Sequence, residues 1–237
     1  MDTYESRLVI GCFGKRSTLD REMSRDFISK PSPYLGVKYH LKTDLHPPDR
    51  ISLHNFNGGY CGISRIENDT YNLCYLSRRA PVRNAGSIDE FEKNVLRKNP
   101  LLNSLYKDST FLFEKPEVIN EISFAPKEPV KDHILMAGDS AGMITPLSGN
   151  GMAMAIHGAK ISSDLSIQFL KGELTRDQLE SRYTREWNST FKTRHWAGRK
   201  IQGLFGSGSS SSLAVFLGRN IRPVARVLMK QTHGKPF

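Results

Sequence analysis

Gly138-Asp139-Ser140-Ala141-Gly142-Met143-Ile144-Thr145-Pro146-Leu147-Ser148-Gly149-Asn150-Gly151-Met152-Ala153 is the stretch on which the reading of this chain turns. It follows His133-Ile134-Leu135-Met136-Ala137, a continuous apolar run of the kind shown by a strand covered on both faces. It leads into a helix expected from about Gly151 to Lys171 and closed by Gly172. The order is strand, carboxylate, loop, proline, paired glycines, helix. A carboxylate at a strand end can accept hydrogen bonds from a polyol. Glycines let backbone N–H groups approach a ligand without interference from a Cβ. A helix start offers unsatisfied N–H groups and a positive dipole end, suited to an anion or an electron-rich carbonyl. Gly151, Ala155, Gly158 and Ala159 line one side of that helix and permit close packing against a sheet or a cofactor. The plainer alternative is a strand–loop–helix turn whose glycines serve sharp geometry only.

Upstream, Arg7-Leu8-Val9-Ile10 reads as a buried strand running into the turn Gly11-Cys12-Phe13-Gly14. Residues 34–77 read as antiparallel strands: Tyr34 to Leu41 alternates apolar and polar at period two, and Ile51 to Phe56, Gly59 to Ile66 and Tyr71 to Leu76 follow. Ser87-Ile88-Asp89-Glu90 is a capping box opening a short helix to about Arg97, and Pro100 opens another. Phe111 to Phe113 and Ile119 to Phe124 are expected strands. Thr175-Arg176-Asp177-Gln178 is a second capping box, with a helix to about Ile201 behind it. Residues 203–212 are rich in Gly and Ser and read as a flexible break. Residues 213–230 read as a basic amphipathic segment interrupted at Pro223.

The pattern Gly138-Asp139-x-Ala141, Pro146, Gly149-x-Gly151-Met152 resembles the second flavin motif of the p-hydroxybenzoate hydroxylase / geranylgeranyl reductase superfamily of FAD-dependent oxidoreductases. The resemblance implies that Asp139 hydrogen-bonds the ribityl chain of FAD. It implies that Gly149, Asn150, Gly151 and Met152 set backbone N–H groups near the pyrimidine side of the isoalloxazine ring, with Gly138 and Pro146 shaping the loop beside it. Asp164, on the same helix, fits the family's spacing. Gly11 to Ser17 stands where the family reads Gly-Ala-Asp-Gly-x-x-Ser, with Phe13 in place of the Asp that supports flavin and nicotinamide binding. Tyr60, in Gly58 to Ser64, matches one position of a reductase and halogenase substrate motif, whereas Gly62 replaces its Trp. Tyr60 is thus a weak substrate candidate, with sheet core as the plainer role.

What the resemblance implies for the whole is an α/β (α+β) chain: a truncated FAD/NAD(P)-binding domain, an antiparallel sheet substrate domain, and C-terminal helices. Residues 1–30 and 126–172 would form the FAD-binding parts, 31–125 the substrate domain, and 173–237 a basic helical region. The Gly-x-Gly-x-x-Gly turn that holds the FAD pyrophosphate is not in the sequence, and in family order it would precede Arg7, so an N-terminally truncated chain is expected. The expected function is FAD-dependent oxidation or reduction, as monooxygenase or reductase, of an apolar aromatic, polyketide or isoprenoid-like substrate. NADPH or NADH would be the reductant. No catalytic acid or base stands out. The alternative is a non-catalytic remnant or binding module that docks through its basic tail.

Composition bounds these readings. At 237 residues with 38% hydrophobic and 24% charged residues, the chain fits a globular protein, and no stretch approaches the ~20 apolar residues of a membrane span. There is no signal peptide pattern at Met1. Three cysteines (Cys12, Cys61, Cys74) without a CxxC argue for a reducing compartment, expected to be cytoplasmic, and against a thiolate metal site. The seven histidines show no metal-ligand spacing. The net charge of +10 is concentrated at the end: residues 171–237 hold 13 Lys and Arg against 4 Asp and Glu. That tail reads as a solvated face by default, as a peripheral contact to an anionic membrane, or as a nucleic-acid contact, for which no reading module is present.

Overall fold

The computed structural model describes residues 4–204 together with Phe216, Asn220, Ile221 and Pro223. The expected amphipathic segment at 213–230 and most of the Gly/Ser-rich break lie outside the described residues. The chain divides into two compact units. One is formed by the residues up to Pro31 with Ser123–Gln202, the other by Ser32–Ile122.

In chain order the elements are β1 (Val9–Gly11), α1 (Thr18–Glu22), β2 (Tyr34–Lys42), β3 (Ile51–Phe56), β4 (Gly59–Arg65), β5 (Tyr71–Arg78), α2 (Arg79–Ala85), α3 (Ile88–Asn94), α4 (Pro100–Asp108), β6 (Thr110–Phe111), β7 (Glu117–Ile122), β8 (Val130–Lys131), β9 (Ile134–Met136), α5 (Gly151–Leu170) and α6 (Arg176–Leu204).

The Ser32–Ile122 unit is an antiparallel sheet in the order β3-β4-β5-β2-β6, with β7 also paired to β2. Period-two alternation sends Leu35, Val37, Tyr39, Leu41, Ile63, Leu73 and Tyr75 to one face. There they meet Phe91, Leu96, Leu102 and Leu105 of the helical layer. The helices are capped as their sequences dictate: Ser87 Oγ accepts the Glu90 N–H at 3.1 Å, and Asn99 Oδ1 accepts the Leu101 N–H at 3.0 Å ahead of Pro100. Glu92 is buried in this core, accepting the Tyr39 hydroxyl at 2.9 Å and the Tyr75 hydroxyl at 3.1 Å, and burial pushes its carboxyl upward.

The other unit carries a three-stranded sheet, β1-β9-β8, in which β1 runs parallel to β9 and β8 antiparallel. Leu135 and Met136 of the central strand are fully buried with Ile161 and Leu165 of α5 and Leu179, Tyr183, Trp187 and Phe191 of α6. The α6 contacts fall every four residues, which is one face of a helix. Thr175 and Gln178 form a reciprocal capping box at its start, and the Tyr183 hydroxyl donates to the Met136 carbonyl. β1 is not the buried strand expected from its sequence: Val9 is 48% and Ile10 39% exposed. It lies at the sheet edge, paired on one side only among the described residues, so its apolar side chains are half covered.

Among the described residues no helix is long and apolar enough to cross a membrane, and no group of His, Cys, Asp or Glu is placed to hold a metal ion. Cys12, Cys61 and Cys74 are free thiols.

Candidate functional site

The chain leaves β9 at Ala137, whose N–H donates to the Gly11 carbonyl at 3.0 Å and so ties the ends of the two parallel strands. It then makes a single 3-10 turn, Gly138–Ser140, that carries Asp139. A second 3-10 turn, Pro146–Ser148, ends at Gly149 with φ +61°, a left-handed conformation that glycine adopts without a Cβ penalty. α5 begins two residues later.

Three side chains that sequence reasoning did not single out hold the Asp139 turn. Ser140 Oγ accepts the Gly14 N–H at 3.0 Å and returns a bond to the Gly14 carbonyl at 3.3 Å, which locks the two turns together. Arg25, buried, donates to the Ser140 carbonyl at 2.9 Å, to Asp20 Oδ1 at 2.8 Å and to the Glu128 carbonyl at 2.7 Å. Lys127 Nζ donates to the Lys15 carbonyl at 2.7 Å and the Asp139 carbonyl at 2.8 Å, and sits 4.3 Å from the centre of the Phe27 ring. Burial pushes the Lys127 ammonium down to about 8, opposed by Asp20, Asp139 and Glu128. Burial also raises the Asp139 carboxyl above its ordinary value, and the Lys127 charge partly offsets this.

Asp139 lines a cavity of about 10 Å³ with Gly138, Gly142, Ile144, Gly151, Met154, Ala155, Trp187, Phe191 and His195. α6 closes one wall. Trp187 stacks on His195 with ring centres 5.4 Å apart, and a Cβ added at Gly142 would lie 3.1 Å from each. His195 is pushed down to about 4, chiefly by burial, and its Nε2 has no hydrogen-bond partner. The outer wall is open. Gly149, Gly151 and Met152 are exposed, Met152 at 85%, and no side chain caps the start of α5.

Of the residues expected from sequence, Gly138, Asp139 and Gly151 meet around this cavity, and Gly149 and Met152 stand on the exposed rim beside it. Pro146 begins the exposed side of the loop, and Asn150 is buried, its carbonyl accepting the Met154 N–H at 3.0 Å. Asp164 lies elsewhere, on the outer face of α5 in an ion pair with Lys160 at 3.1 Å. His157 packs edge-on against Phe191. Phe13, where the resembled family has Asp, folds inward: a Cβ at Gly11 would lie 2.7 Å from its ring. Tyr60 is buried in the antiparallel unit, and burial raises its phenol pKa. The four-residue spacing of Tyr183, Trp187, Phe191 and His195 marks them as one inward stripe of α6. Nothing in the local sequence around Arg25 or Lys127 announces their partners more than 100 residues away.

The fold is shared by solved structures of an FAD-dependent monooxygenase, flavin-dependent halogenases and a geranylgeranyl reductase-like protein. The chain superposes on flavin-dependent brominase Bmp2 with a TM-score of 0.72 at 14% identity, covering 96% of this chain and 57% of that one. A geranylgeranyl bacteriochlorophyll reductase-like protein from Thermoplasma acidophilum gives 0.70 at 15% identity, covering 96% and 55%. A flavoprotein/dehydrogenase from Cytophaga hutchinsonii gives 0.66 at 18%, covering 94% and 61%. These likenesses establish the fold, of which this chain is a part. By sequence it is 30% identical over 209 residues to conditioned medium factor receptor 1 of Dictyostelium discoideum, across 79% of this chain and 37% of that protein. The chain thus spans little more than a third of that relative. No family model matches.

Proposed function

We propose that this chain is the ring-side portion of an FAD-dependent oxidoreductase, with Asp139 and the amides of Gly151 and Met152 as its flavin contacts. One observation carries the reading: Asp139 and Gly151 line the same cavity while the start of α5 stays open and uncapped. The donor set fits the group. A half-buried carboxylate suits ribityl hydroxyls, and the N–H groups of a helix start, at Gly151 and Met152, suit the carbonyl edge of a pyrimidine ring. A cavity of about 10 Å³ holds one water at most. A ring system therefore belongs outside it, along the exposed backbone of Gly149, Gly151 and Met152.

The flavin, when bound, supplies the hydride and oxygen chemistry. The chain's own residues bind and orient. Lys127 fixes the Asp139 backbone and lends its carboxylate a counter-charge. Ser140 and Arg25 hold the turn in place, and Trp187 and His195 seal its inner side. We assign an apolar substrate, aromatic, polyketide or isoprenoid in kind, to the antiparallel unit, and NADPH or NADH as reductant.

The test is a titration of the chain with FAD, and separately with riboflavin, followed by flavin fluorescence. Asp139→Asn should weaken both about tenfold, the worth of one good hydrogen bond to a charged group. A chain that takes up neither flavin, or a variant that binds as the wild type does, would overturn the assignment.

A further inference from the structure

α6 has two unlike faces. The inner one buries Leu179, Tyr183, Trp187 and Phe191. The outer one exposes Arg182, Arg185, Lys192, Trp196 and Lys200. At 100° per residue these five fall within a sector of roughly 80°, and from first to last they run about 27 Å along the helix. The other residues of that sector between them are Ser189 and, at its margin, Thr193, so the stripe contains no carboxylate. None of its four cations takes part in an ion pair among the described residues. Trp196 is 54% exposed, with the Lys200 ammonium 5.9 Å from its ring centre. The sequence beyond the helix continues the same chemistry: residues 205–237 hold five Lys and Arg, no Asp or Glu, and interleaved Leu, Val, Ile, Phe and Met.

We infer that the outer face of α6 is a docking surface for an anionic lipid bilayer. A row of exposed cations gathers at a negatively charged leaflet, each adding to the attraction within a Debye length. An exposed Trp beside those cations belongs at the headgroup level, where an apolar ring with a polar edge is stabilised. Apolar side chains scattered among the cations that follow gain from the acyl boundary. A nucleic acid would use the charges but not those apolar residues. The inference does not depend on flavin binding.

The test is flotation of the full chain with vesicles of phosphatidylcholine alone and of an equimolar phosphatidylcholine–phosphatidylserine mixture. Binding to the mixed vesicles only, falling as salt rises, is expected. The triple variant R185E/K192E/K200E should lose at least ~10-fold in vesicle affinity. All three positions are exposed, and an unchanged unfolding midpoint verifies that the variant is folded. Vesicles should shift the fluorescence of the wild type to the blue. Trp196→Ala should abolish that shift, because Trp187, the other Trp, is already buried. Equal binding to both vesicles, or a triple variant that binds like the wild type, overturns the proposal. Binding to a DNA duplex without binding to vesicles overturns it too and gives the stripe to nucleic acid.

Discussion

Arg25 and Asp20 form an ion pair sealed from solvent on both sides, with Nη1 2.8 Å from Oδ1 and both side chains 0% exposed. The same guanidinium reaches the Ser140 carbonyl, so the pair anchors the turn that carries Asp139. Asp20 Oδ2 also accepts the Ser17 N–H at 2.8 Å, closing the capping box of α1. Removing Asp20 leaves the buried guanidinium with only the partly exposed Glu128 carboxylate, 3.2 Å from Nε, as counter-charge, which places the cost at the lower end for a broken buried pair, about 3 kcal/mol. Asp20→Leu should therefore lose roughly that much in urea unfolding. Replacing both residues, as Asp20→Leu with Arg25→Met, should lose less than the single change. A double variant worse than the single one would show that Arg25 stabilises the turn chiefly through its other bonds, to the two carbonyls and the Glu128 carboxylate.

Gly59 approaches its neighbour more closely than any side chain allows. A Cβ there would lie 1.9 Å from the Leu76 carbonyl, on the strand paired with it. Backbone cannot yield as a side chain can, so Gly59→Ala should cost roughly 3 kcal/mol or more, at the upper end of overpacking. Gly62, three residues along the same strand, meets the Leu53 side chain at 3.2 Å and two backbone carbonyls at an ordinary 3.9 Å, and Gly62→Ala should be tolerated. Thermal unfolding of the two variants side by side would check this, and equal midpoints would count against the register of β4 on β5.

Period two in Tyr34 to Leu41, the two capping boxes and the apolar run at 134–136 were enough to place the antiparallel sheet, the starts of α3 and α6, and the strand before Asp139. These signals are local, set by side-chain alternation and by the donors a helix start leaves unpaired. What the sequence could not reveal is non-local. Arg25 is an isolated arginine between a short helix and a 3-10 turn, and only the fold brings it to Glu128 and Ser140. The edge position of β1 is not legible because an apolar tetrapeptide looks the same whether one flank or both are covered. The narrowing of the cavity was also hidden, since it depends on Trp187 and His195 arriving from another helix.

Lys127 and Asp139 should titrate as neighbours. The Asp139 carboxyl is raised by burial and restrained by the Lys127 charge, so Lys127→Met should raise it further. Carboxyl carbon NMR of Asp139 in the two proteins would read this, and a downward or absent change would refute the contact. The lysine has its own signature. Its folded pKa of about 8 lies below the ordinary 10.5. Below pH 8 both folded and unfolded chains hold the proton, and the group's contribution to stability does not change with pH. Between pH 8 and about 10 the unfolded chain binds a proton the folded one lacks, so this group makes stability rise with pH there. Lys127→Met should lack that rise.

His195 should make the protein acid-sensitive for the same reason, in a lower pH window. It is 7% exposed, and burial, helped by the Arg199 charge, holds its pKa near 4, against 6.5 when unfolded, while a hydrogen bond to the Met143 backbone resists. Above pH 6.5 the ring is neutral in both states. As the pH falls from 6.5 to about 4, the unfolded chain takes up a proton that the folded one refuses. Stability from this group therefore drops across that window, by about 3 kcal/mol in full. Replacing the ring with another planar one of similar reach, His195→Phe, removes the proton and keeps the stack on Trp187. Urea midpoints at pH 7, 5.5 and 4.5, on the order of the steps needed to cross the window, should fall less steeply for the variant than for the wild type. Parallel slopes would mean that the imidazole is reached by solvent in the folded protein, and that the inner wall beside Asp139 is not sealed.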